Sequence, residues 1–320
     1  MLSPCRFVQS VQGVLCMERS IATKGKSMNR MRKQEALCGY LFALPWFVGL
    51  FVFTLYPVLS SLYYSFTNYN FSQNIKWIGL NNYIVFFTRD YMIPISAYNT
   101  LYFAIFSVPL NICIGILIAV MMNQKIPGIR VLRTIYYLPN VVSIIAVSML
   151  WYFLFQGKSG IINSILAVVG IQGPNWLSDP ASAKPALILM NCWNAGGPMI
   201  IYLAGLQGIP RSYYEAAEVD GANALRKFFS ITLPLLSPSI FYNLIIGIIG
   251  ALQTFSTALV MTDGGPMNST TFYVLTLYRR AFDDMRMGYA SAMAWVLLIV
   301  TMVLTLIVFR IGSKKVYYEQ

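Results

Sequence analysis

Long apolar stretches alternate with short polar segments along most of the chain. Six stretches of 21 to 28 residues contain no Asp, Glu, Lys or Arg: 38–65, 98–122, 136–156, 185–206, 237–261 and 289–309. A helix of about 20 apolar residues is long enough to cross the hydrocarbon core of a bilayer. The pattern therefore predicts an all-α integral membrane protein with six transmembrane helices.

The composition agrees with this prediction and argues against other classes of protein. Hydrophobic residues make up 57% and charged residues 11% of the 320 residues, whereas soluble domains have about 45–50% apolar and about 25% charged residues. The chain has no histidine, and its five cysteines form no C-x-x-C pair. No catalytic, metal or cofactor site is therefore predicted in this chain.

The basic residues indicate how the six helices are oriented. An even number of spans places both termini on one side, and that side carries sixteen Lys and Arg residues against seven on the other. Cytoplasmic segments of membrane proteins have such an excess, so both termini are predicted to be cytoplasmic. The net charge of +12 follows from this distribution. It does not indicate nucleic-acid binding, because no basic patch with interleaved aromatic residues lies in a soluble segment.

Three parts are expected along the chain. Residues 1–36 form a basic cytoplasmic extension, which is either genuine or an artefact of the start site. Residues 37–310 form the six-helix domain, and residues 311–320 form a cytoplasmic tail. The outward loops are too short for a folded domain, so a soluble receptor would have to be a separate protein.

The cytoplasmic segment 207–236 predicts a small helix–turn–helix on the membrane surface. Pro210 favours the start of a helix, and good helix formers continue to Asp220. Gly221 can adopt a positive φ and end that helix. A second short helix is expected from Ala222 to about residue 230, before Pro234 redirects the chain into the fifth span.

Two functions are open for this segment on physical grounds. The small side chains of Ala216 and Ala217 let another protein approach closely, and Glu215 and Glu218 offer carboxylates to its basic groups. The alternative is a solvated loop with ordinary surface charge.

The segment resembles the EAA signature of the permease subunits of ATP-binding-cassette importers. The matching residues are Glu215-Ala216-Ala217-x-x-Asp220-Gly221-Ala222, followed by Ile231-x-Leu233-Pro234. A likeness to the carbohydrate-uptake branch extends over residues 37–320, and it is carried by Leu44-Pro45-Trp46, Gly79-Leu80-Asn81-Asn82-Tyr83, Gly264-Gly265-Pro266 and Gly288-Tyr289-Ala290-Ser291-Ala292. Within that branch the chain is similar to the larger, maltose-type permease of a heterodimer, although the large outward domain of the maltose protein has no counterpart.

This resemblance implies a type I importer permease fold and a set of partners. A second homologous permease would complete the membrane channel, and two ATPase subunits would bind ATP and magnesium. A soluble extracytoplasmic binding protein would deliver a carbohydrate to this multi-pass protein of a bacterial inner membrane. By motif position, the residues of the coupling helix that contacts an ATPase would be Glu215, Ala216, Ala217, Asp220 and Gly221. The chain itself would be a non-catalytic subunit without a cofactor.

Polar and aromatic residues in the fourth and fifth spans are candidates for lining a sugar pathway. Polar side chains are costly in a bilayer core unless they face a cavity or another helix. Asn194, Gln253 and Ser256 are therefore predicted to line the path, with Trp193 and Phe255 as stacking surfaces. The alternative for each is hydrogen bonding between helices or aromatic packing.

Three arginines of the last outward loop suggest two further hypotheses. Arg279, Arg280 and Arg286 lie close in sequence to Asp283 and Asp284, so they either form ion pairs at the outward rim or contact an acidic binding protein. An excess of guanidinium groups there would instead favour an acidic substrate such as a uronate oligosaccharide over a neutral di- or oligosaccharide.

A stand-alone secondary transporter or channel is the competing function. Such carriers generally place ionisable residues in their spans or contain inverted repeats with broken helices. The six stretches lack charged residues, and no convincing repeat relates residues 38–156 to residues 185–309. These observations favour the importer permease.

Overall fold

The computed structural model describes residues 35–71, 74–124, 126–157 and 159–314. The predicted N-terminal extension, except for its last two residues, and residues 315–320 of the predicted tail lie outside the described residues. Within the described part the protein is helical, and the only strand-type pairing there is one antiparallel bridge between Thr67 and Trp77. The chain separates into two units, Met1–Tyr63 and Tyr64–Gln320.

Helix α1 (Glu35–Ser65) provides the described part of the first unit and continues two residues into the second. It widens into a π-helical turn at Leu50–Leu55, where the N–H of Tyr56 donates to the carbonyl of Phe51. Pro57 follows this turn. A proline ring has no N–H and crowds the carbonyl four residues earlier, and a widened turn is a common way for a helix to accommodate such a break.

The second unit contains the remaining described helices. In chain order they are α2 (Asn81–Thr88), α3 (Met92–Met122), α4 (Ile129–Asn140), α5 (Ile144–Leu154), α6 (Ile161–Val168), α7 (Pro180–Trp193), α8 (Gly196–Gly208), α9 (Arg211–Val219), α10 (Ala224–Leu235), α11 (Ser237–Leu252), α12 (Ser256–Met261), α13 (Tyr273–Tyr278) and α14 (Met287–Gly312).

Three of the six predicted spans overlap bent helix pairs, and one of these pairs begins with α10, which lies in the segment 207–236 that was predicted to be cytoplasmic. α1, α3 and α14 are each long and apolar enough to cross a bilayer, whereas α4 and α5 meet at 96°, α7 and α8 at 46°, and α10 and α11 at 65°. If each pair is one span, the described residues contain six. Pro139, Pro198, Pro234 and Pro238 lie close to these bends, where proline interrupts the hydrogen bonding of a continuous helix.

Two predicted spans also differ from the structure in their ends. The third was expected from residue 136, but its straight helix α5 begins at Ile144 after the bend. The fifth was expected to continue to residue 261, but α11 ends at Leu252 and α12 follows after a three-residue break. An uninterrupted apolar run predicts that a segment lies in the membrane without showing where its helix breaks.

Helix α3 is the centre of the second unit, and it packs against α7, α8, α11 and α13. Its first half contributes to one apolar cluster that contains Phe103, Trp151, Phe155, Leu187, Met190 and Phe272. Its second half contributes to another that contains Ile116, Met122, Met199, Tyr202, Leu206 and Leu236. Because one helix belongs to both clusters, it connects the two ends of the unit.

The loop between α1 and α2 is closed by the side chain of Asn82. Its amide donates to the carbonyls of Ser65 at 2.8 Å and Thr67 at 2.9 Å, and the Tyr83 hydroxyl donates to Ser65 Oγ at 2.9 Å. Asn82 is buried, so these bonds satisfy polar groups that have lost contact with water.

The same loop packs closely on the start of α14. The N–H of Gly288 donates to the carbonyl of Tyr69 at 2.8 Å. A Cβ at Gly288 would overlap the carbonyl oxygen of Thr67 and lie 3.0 Å from the Tyr69 nitrogen. The contact is therefore between two backbones, and it leaves no room for a side chain.

We expect Gly288→Ala to lower the free energy of unfolding by about 1–3 kcal/mol, the usual cost of overpacking. Gly250→Ala is the matched control, because no atom lies within 4 Å of a Cβ at that helical position and alanine favours a helix over glycine. Thermal unfolding of the purified protein compares the two variants. Equal unfolding temperatures would contradict the close backbone contact.

Candidate functional site

The turn between α9 and α10 is a Schellman motif. The N–H of Ala222 donates to the carbonyl of Ala217 at 2.8 Å, and the N–H of Gly221 donates to the carbonyl of Glu218 at 3.0 Å. Gly221 has a φ of +72°, the left-handed conformation that this motif requires at its first non-helical position. The expected end of the helix before Gly221 is thus present in the structure.

The need for glycine at this position is conformational. No atom lies within 4 Å of a Cβ built on Gly221, so a side chain would have space. The positive φ nevertheless raises the conformational free energy of a residue other than glycine by about 1–2 kcal/mol.

Side-chain bonds join the two arms of the turn. The Tyr214 hydroxyl lies 2.9 Å from Thr232 Oγ1, and Lys227 Nζ donates to Glu218 Oε1 at 2.8 Å. Asn223 caps α10 by accepting from the N–H of Arg226 at 2.8 Å. α9 and α10 are therefore connected by more than the backbone of the turn.

The predicted coupling residues form an exposed surface on this turn. Four of them, Glu215, Ala216, Asp220 and Gly221, are exposed, and Ala217 is half-buried beneath the turn. Two apolar side chains beside them are also exposed, Val219 by 90% and Leu225 by 69%. Small, acidic and apolar groups side by side make a surface suited to another protein.

A polar cavity of about 290 Å³ lies between α3, α7 and α11. Its polar lining consists of Ser107, Asn111, Asn191, Asn194, Asn243 and Thr254. The Asn111 amide donates to the carbonyl of Asn191 at 2.9 Å, and buried Ser107 Oγ has no hydrogen-bond partner in the described part of the protein. Polar groups in a membrane segment are costly when unsatisfied, so this cavity can accept a polar ligand or water.

The residues predicted to line a sugar path do not all meet in this cavity. Asn194 lines it, whereas Gln253 lies in a separate groove beside α14. The Phe255 ring packs 5.0 Å from the ring of Tyr278, and half-buried Ser256 begins α12. Trp193 is half exposed, with its ring 5.7 Å from that of Trp151.

The sequence interpretation missed three asparagines of the cavity, at positions 111, 191 and 243. Each is an amide within an otherwise apolar stretch, which is the same signal that selected Asn194. They come from three helices, so their convergence depends on how α3, α7 and α11 pack.

Carboxylates neutralise two of the three arginines that were predicted to lie at the outward rim. Arg279 pairs with Asp263 at 2.8 Å. Arg280 pairs with Asp90 at 2.9 Å and with Asp284 at 2.7 Å. The guanidinium groups of Arg279 and Arg280 are therefore already paired within this chain. Arg286 is exposed, with its guanidinium carbon 4.9 Å from the centroid of the Tyr289 ring.

Asp90 is the central acceptor of this network of Asp90, Arg280, Asp284 and Tyr289, which is called the outer network after the predicted orientation of its loops. It receives hydrogen bonds from Arg280, from the Tyr289 hydroxyl at 2.9 Å and from the N–H of Met92 at 3.1 Å. Burial alone would raise the pKa of the Asp90 carboxyl, but these hydrogen bonds and the charge of Arg280 outweigh burial and hold the pKa below its ordinary value. The carboxylate therefore stays ionised.

The described residues contain no group of three or more Cys, Asp or Glu side chains placed to hold a metal ion. Their chemistry is that of polar and aromatic contacts, ion pairs and the exposed surface of the α9–α10 turn.

Residues 111–314 match the family of binding-protein-dependent transport system inner membrane components. This match includes the α9–α10 turn, both α7 and α11 of the cavity, and the second part of α3.

Two curated relatives are similar over nearly the whole chain. A Bacillus subtilis (strain 168) protein named "Probable ABC transporter permease protein YesP" is 43% identical over 91% of this chain and 95% of its own length. The trehalose/maltose transport system permease MalF of Thermococcus litoralis is 32% identical over 90% of this chain and 97% of its own length.

A solved structure has the same fold. The chain matches a subunit of a bacterial ABC transporter that imports the acidic polysaccharide alginate, with a TM-score of 0.77 and 25% identity, over 88% of this chain and 96% of that subunit. The same alginate transporter has also been solved in complex with a periplasmic protein that carries an alginate pentasaccharide.

We expect Asp90→Asn to destabilise the outer network at neutral pH. Because the pKa of Asp90 is lower in the folded protein, its stabilising contribution is fully present above the unfolded value of about 3.9 and is lost as the pH falls through the folded pKa. The unfolding temperatures of wild type and variant should therefore differ at pH 7 and at pH 5 and converge below about pH 4. A difference that stays constant down to pH 3 would contradict this role of the carboxylate.

Proposed function

This chain belongs to the family of binding-protein-dependent transport system inner membrane components, and we propose that it is one of two homologous permeases in an importer of a di- or oligosaccharide. It is a multi-pass, non-catalytic permease of a sugar importer of the ATP-binding-cassette type. We further propose how this chain is placed in the complex, which of its surfaces contacts the ATPase subunits, and where the sugar passes.

In the proposed complex, the second permease forms the other half of the pathway, and two ATPase subunits bind and hydrolyse ATP with magnesium. A soluble binding protein delivers the sugar from outside a bacterial inner membrane, and both termini of this chain lie in the cytoplasm. The alginate importer supports the binding-protein partner, because it was solved with its periplasmic protein bound. The two relatives described above are named as transport permeases, which favours this assembly over a carrier that acts alone.

The α9–α10 turn is the observation that carries the proposed coupling. Its exposed face offers Glu215, Ala216, Asp220 and Gly221 together with apolar Val219. An ATPase subunit can move this chain only through a rigid contact surface, since a flexible loop would deform without displacing the helices attached to it.

The contacts of the turn offer a route for movement into the membrane. Tyr214 and Glu218 of α9 are bonded to Thr232 and Lys227 on the arm that leads to α11. Leu236, at the bend between α10 and α11, is fully buried in the apolar cluster shared by α3 and α8. A displacement of α9 therefore reaches the helices that line the polar cavity.

The polar cavity is the proposed sugar contact within this chain. Amide side chains can donate to and accept from sugar hydroxyls, and Asn194 joins three other asparagines in its lining. Gln253 lies in a different groove, next to α14, and there it is proposed to face the part of the pathway completed by the second permease.

Replacement of Gly221 by valine should uncouple ATP hydrolysis from uptake. A β-branched residue at φ +72° raises the free energy of the native turn by about 1–2 kcal/mol. We expect the turn to distort to relieve this strain and uptake to fall roughly tenfold. Glu215→Lys reverses an exposed charge and should have the same effect. Uptake and ATPase activity stimulated by the binding protein are measured in proteoliposomes.

Gly221→Asn is the matched control, because asparagine tolerates the left-handed conformation. It should retain most of the uptake, and all three variants should insert and assemble normally. If Gly221→Val and Glu215→Lys both transport at the wild-type rate, the coupling assignment is wrong.

The sugar contact predicts a change in apparent affinity. Asn194→Ala and Gln253→Ala should each raise the KM for uptake roughly threefold to tenfold, the range expected when one hydrogen bond is lost. Exposed Asn81 provides the control variant Asn81→Ala, which should leave KM unchanged. An unchanged KM in the Asn194 variant would remove the cavity from the sugar path.

A further inference from the structure

Lys184 lies among aromatic rings instead of carboxylates. Its Nζ atom is 4.8 Å from the centroid of the Tyr102 ring and 4.9 Å from that of Tyr98. It donates one hydrogen bond, to Asn99 Oδ1 at 3.1 Å. No carboxylate pairs with Lys184 among the residues that the structure describes. Its positive charge is therefore stabilised by π-faces and one amide oxygen.

The position of this ammonium group is fixed by its neighbours. Asn99 is buried, and its amide nitrogen donates to the carbonyls of Asn268 at 2.8 Å and Thr271 at 3.1 Å. The amide oxygen that accepts from Lys184 thus has a set orientation. An ammonium has three N–H donors, and only one of them has an oxygen acceptor here.

Aromatic side chains continue from this lysine along α3. Tyr98, Tyr102 and Phe106 follow one another at intervals of four residues. The ring centroids of Tyr98 and Tyr102 are 6.3 Å apart, and those of Tyr102 and Phe106 are 4.6 Å apart. Residues four apart lie on one helix face. The Tyr98 side chain is 62% exposed and that of Phe106 is 53% exposed, so their faces are accessible to a ligand.

The aromatic row and the polar cavity belong to the same pair of helices. Lys184 and Asn191 lie on α7, seven residues or roughly 10 Å apart along the axis. On α3, Tyr102 precedes Asn111, whose amide donates to the carbonyl of Asn191. The lysine therefore lies about two turns from the asparagines, at the end of the helix pair nearer to the outer network of Asp90 and Arg280.

We propose that Lys184, Tyr98 and Tyr102 form a recognition point for the carboxylate of an acidic sugar before the sugar reaches the polar cavity. The proposal rests on the proposed sugar-import function and names the substrate class. The tyrosine rings stack on the C–H face of a sugar, and the ammonium pairs with its carboxylate. Arg279 and Arg280 cannot supply this charge, because Asp263, Asp90 and Asp284 already neutralise them.

The test measures binding of a matched pair of sugars to the complete transporter, in the resting state and after trapping with ATP and vanadate. Digalacturonate and its carboxyl-reduced, neutral form are compared by saturation-transfer NMR in nanodiscs of phosphatidylcholine. We expect wild type to bind the acidic form roughly fivefold more tightly, the contribution of one partly exposed ion pair.

Three variants separate charge from packing. Lys184→Gln should bind both sugars equally, and Lys184→Arg should keep the preference for the acid. Lys76→Gln removes an exposed lysine from the loop between α1 and α2 and should behave as wild type. Equal binding of the two sugars by wild type, or a preference that persists in Lys184→Gln, would overturn the proposal while leaving the import function intact.

Two other outcomes also decide the question. If neither sugar binds to wild type, both the recognition point and the cavity assignment are wrong. If native mass spectrometry instead finds phosphatidylglycerol retained by wild type but not by Lys184→Gln, the site holds a lipid phosphate and the proposal fails.

Discussion

The absence of water in a bilayer core is the constraint on which the rest of this structure depends. Backbone groups there must find partners within the protein, so helix breaks are acceptable only where other groups or a cavity can satisfy them. α7 ends at Trp193 and α8 begins at Gly196, and Asn194 in that interval lines the polar cavity. The interruption that proline and glycine impose on the span therefore coincides with the place where a polar ligand can be held.

The amino-acid sequence was sufficient to predict the features that depend on local chemistry. The lack of charge in six stretches predicted the spans, and Gly221 predicted a helix end that the structure realises as a Schellman motif. Pro234 was expected to redirect the chain into the fifth span, and α10 and α11 do meet at a bend of 65° there. The bend at 141–143 was not predicted, because proline near the end of an apolar run is compatible with either a straight or a broken helix. The meeting of Asn111, Asn191 and Asn243 was missed because it depends on the packing of three helices.

The charged residues of the predicted outward loops also show what position in the sequence cannot reveal. Asp283 and Asp284 were recognised as possible partners of the arginines in the last loop. Asp90 was not, because it lies 190 residues from Arg280, with which it forms a two-point ion pair. Lys184 looked unremarkable beside the start of a span, yet it is the cation that the structure surrounds with aromatic rings. The number of basic residues was thus a poor guide to where positive charge remains available to a ligand.

The backbone contact at Gly288 has a consequence for how the domain changes shape. Two main chains in direct contact cannot slide past each other by a change of side-chain rotamer. The hydrogen bond from Gly288 to Tyr69 further fixes their relative orientation. The loop between α1 and α2 and the first turn of α14 are therefore expected to move as a rigid body. Any bending of α14 is then expected further along the helix, in its more exposed second half.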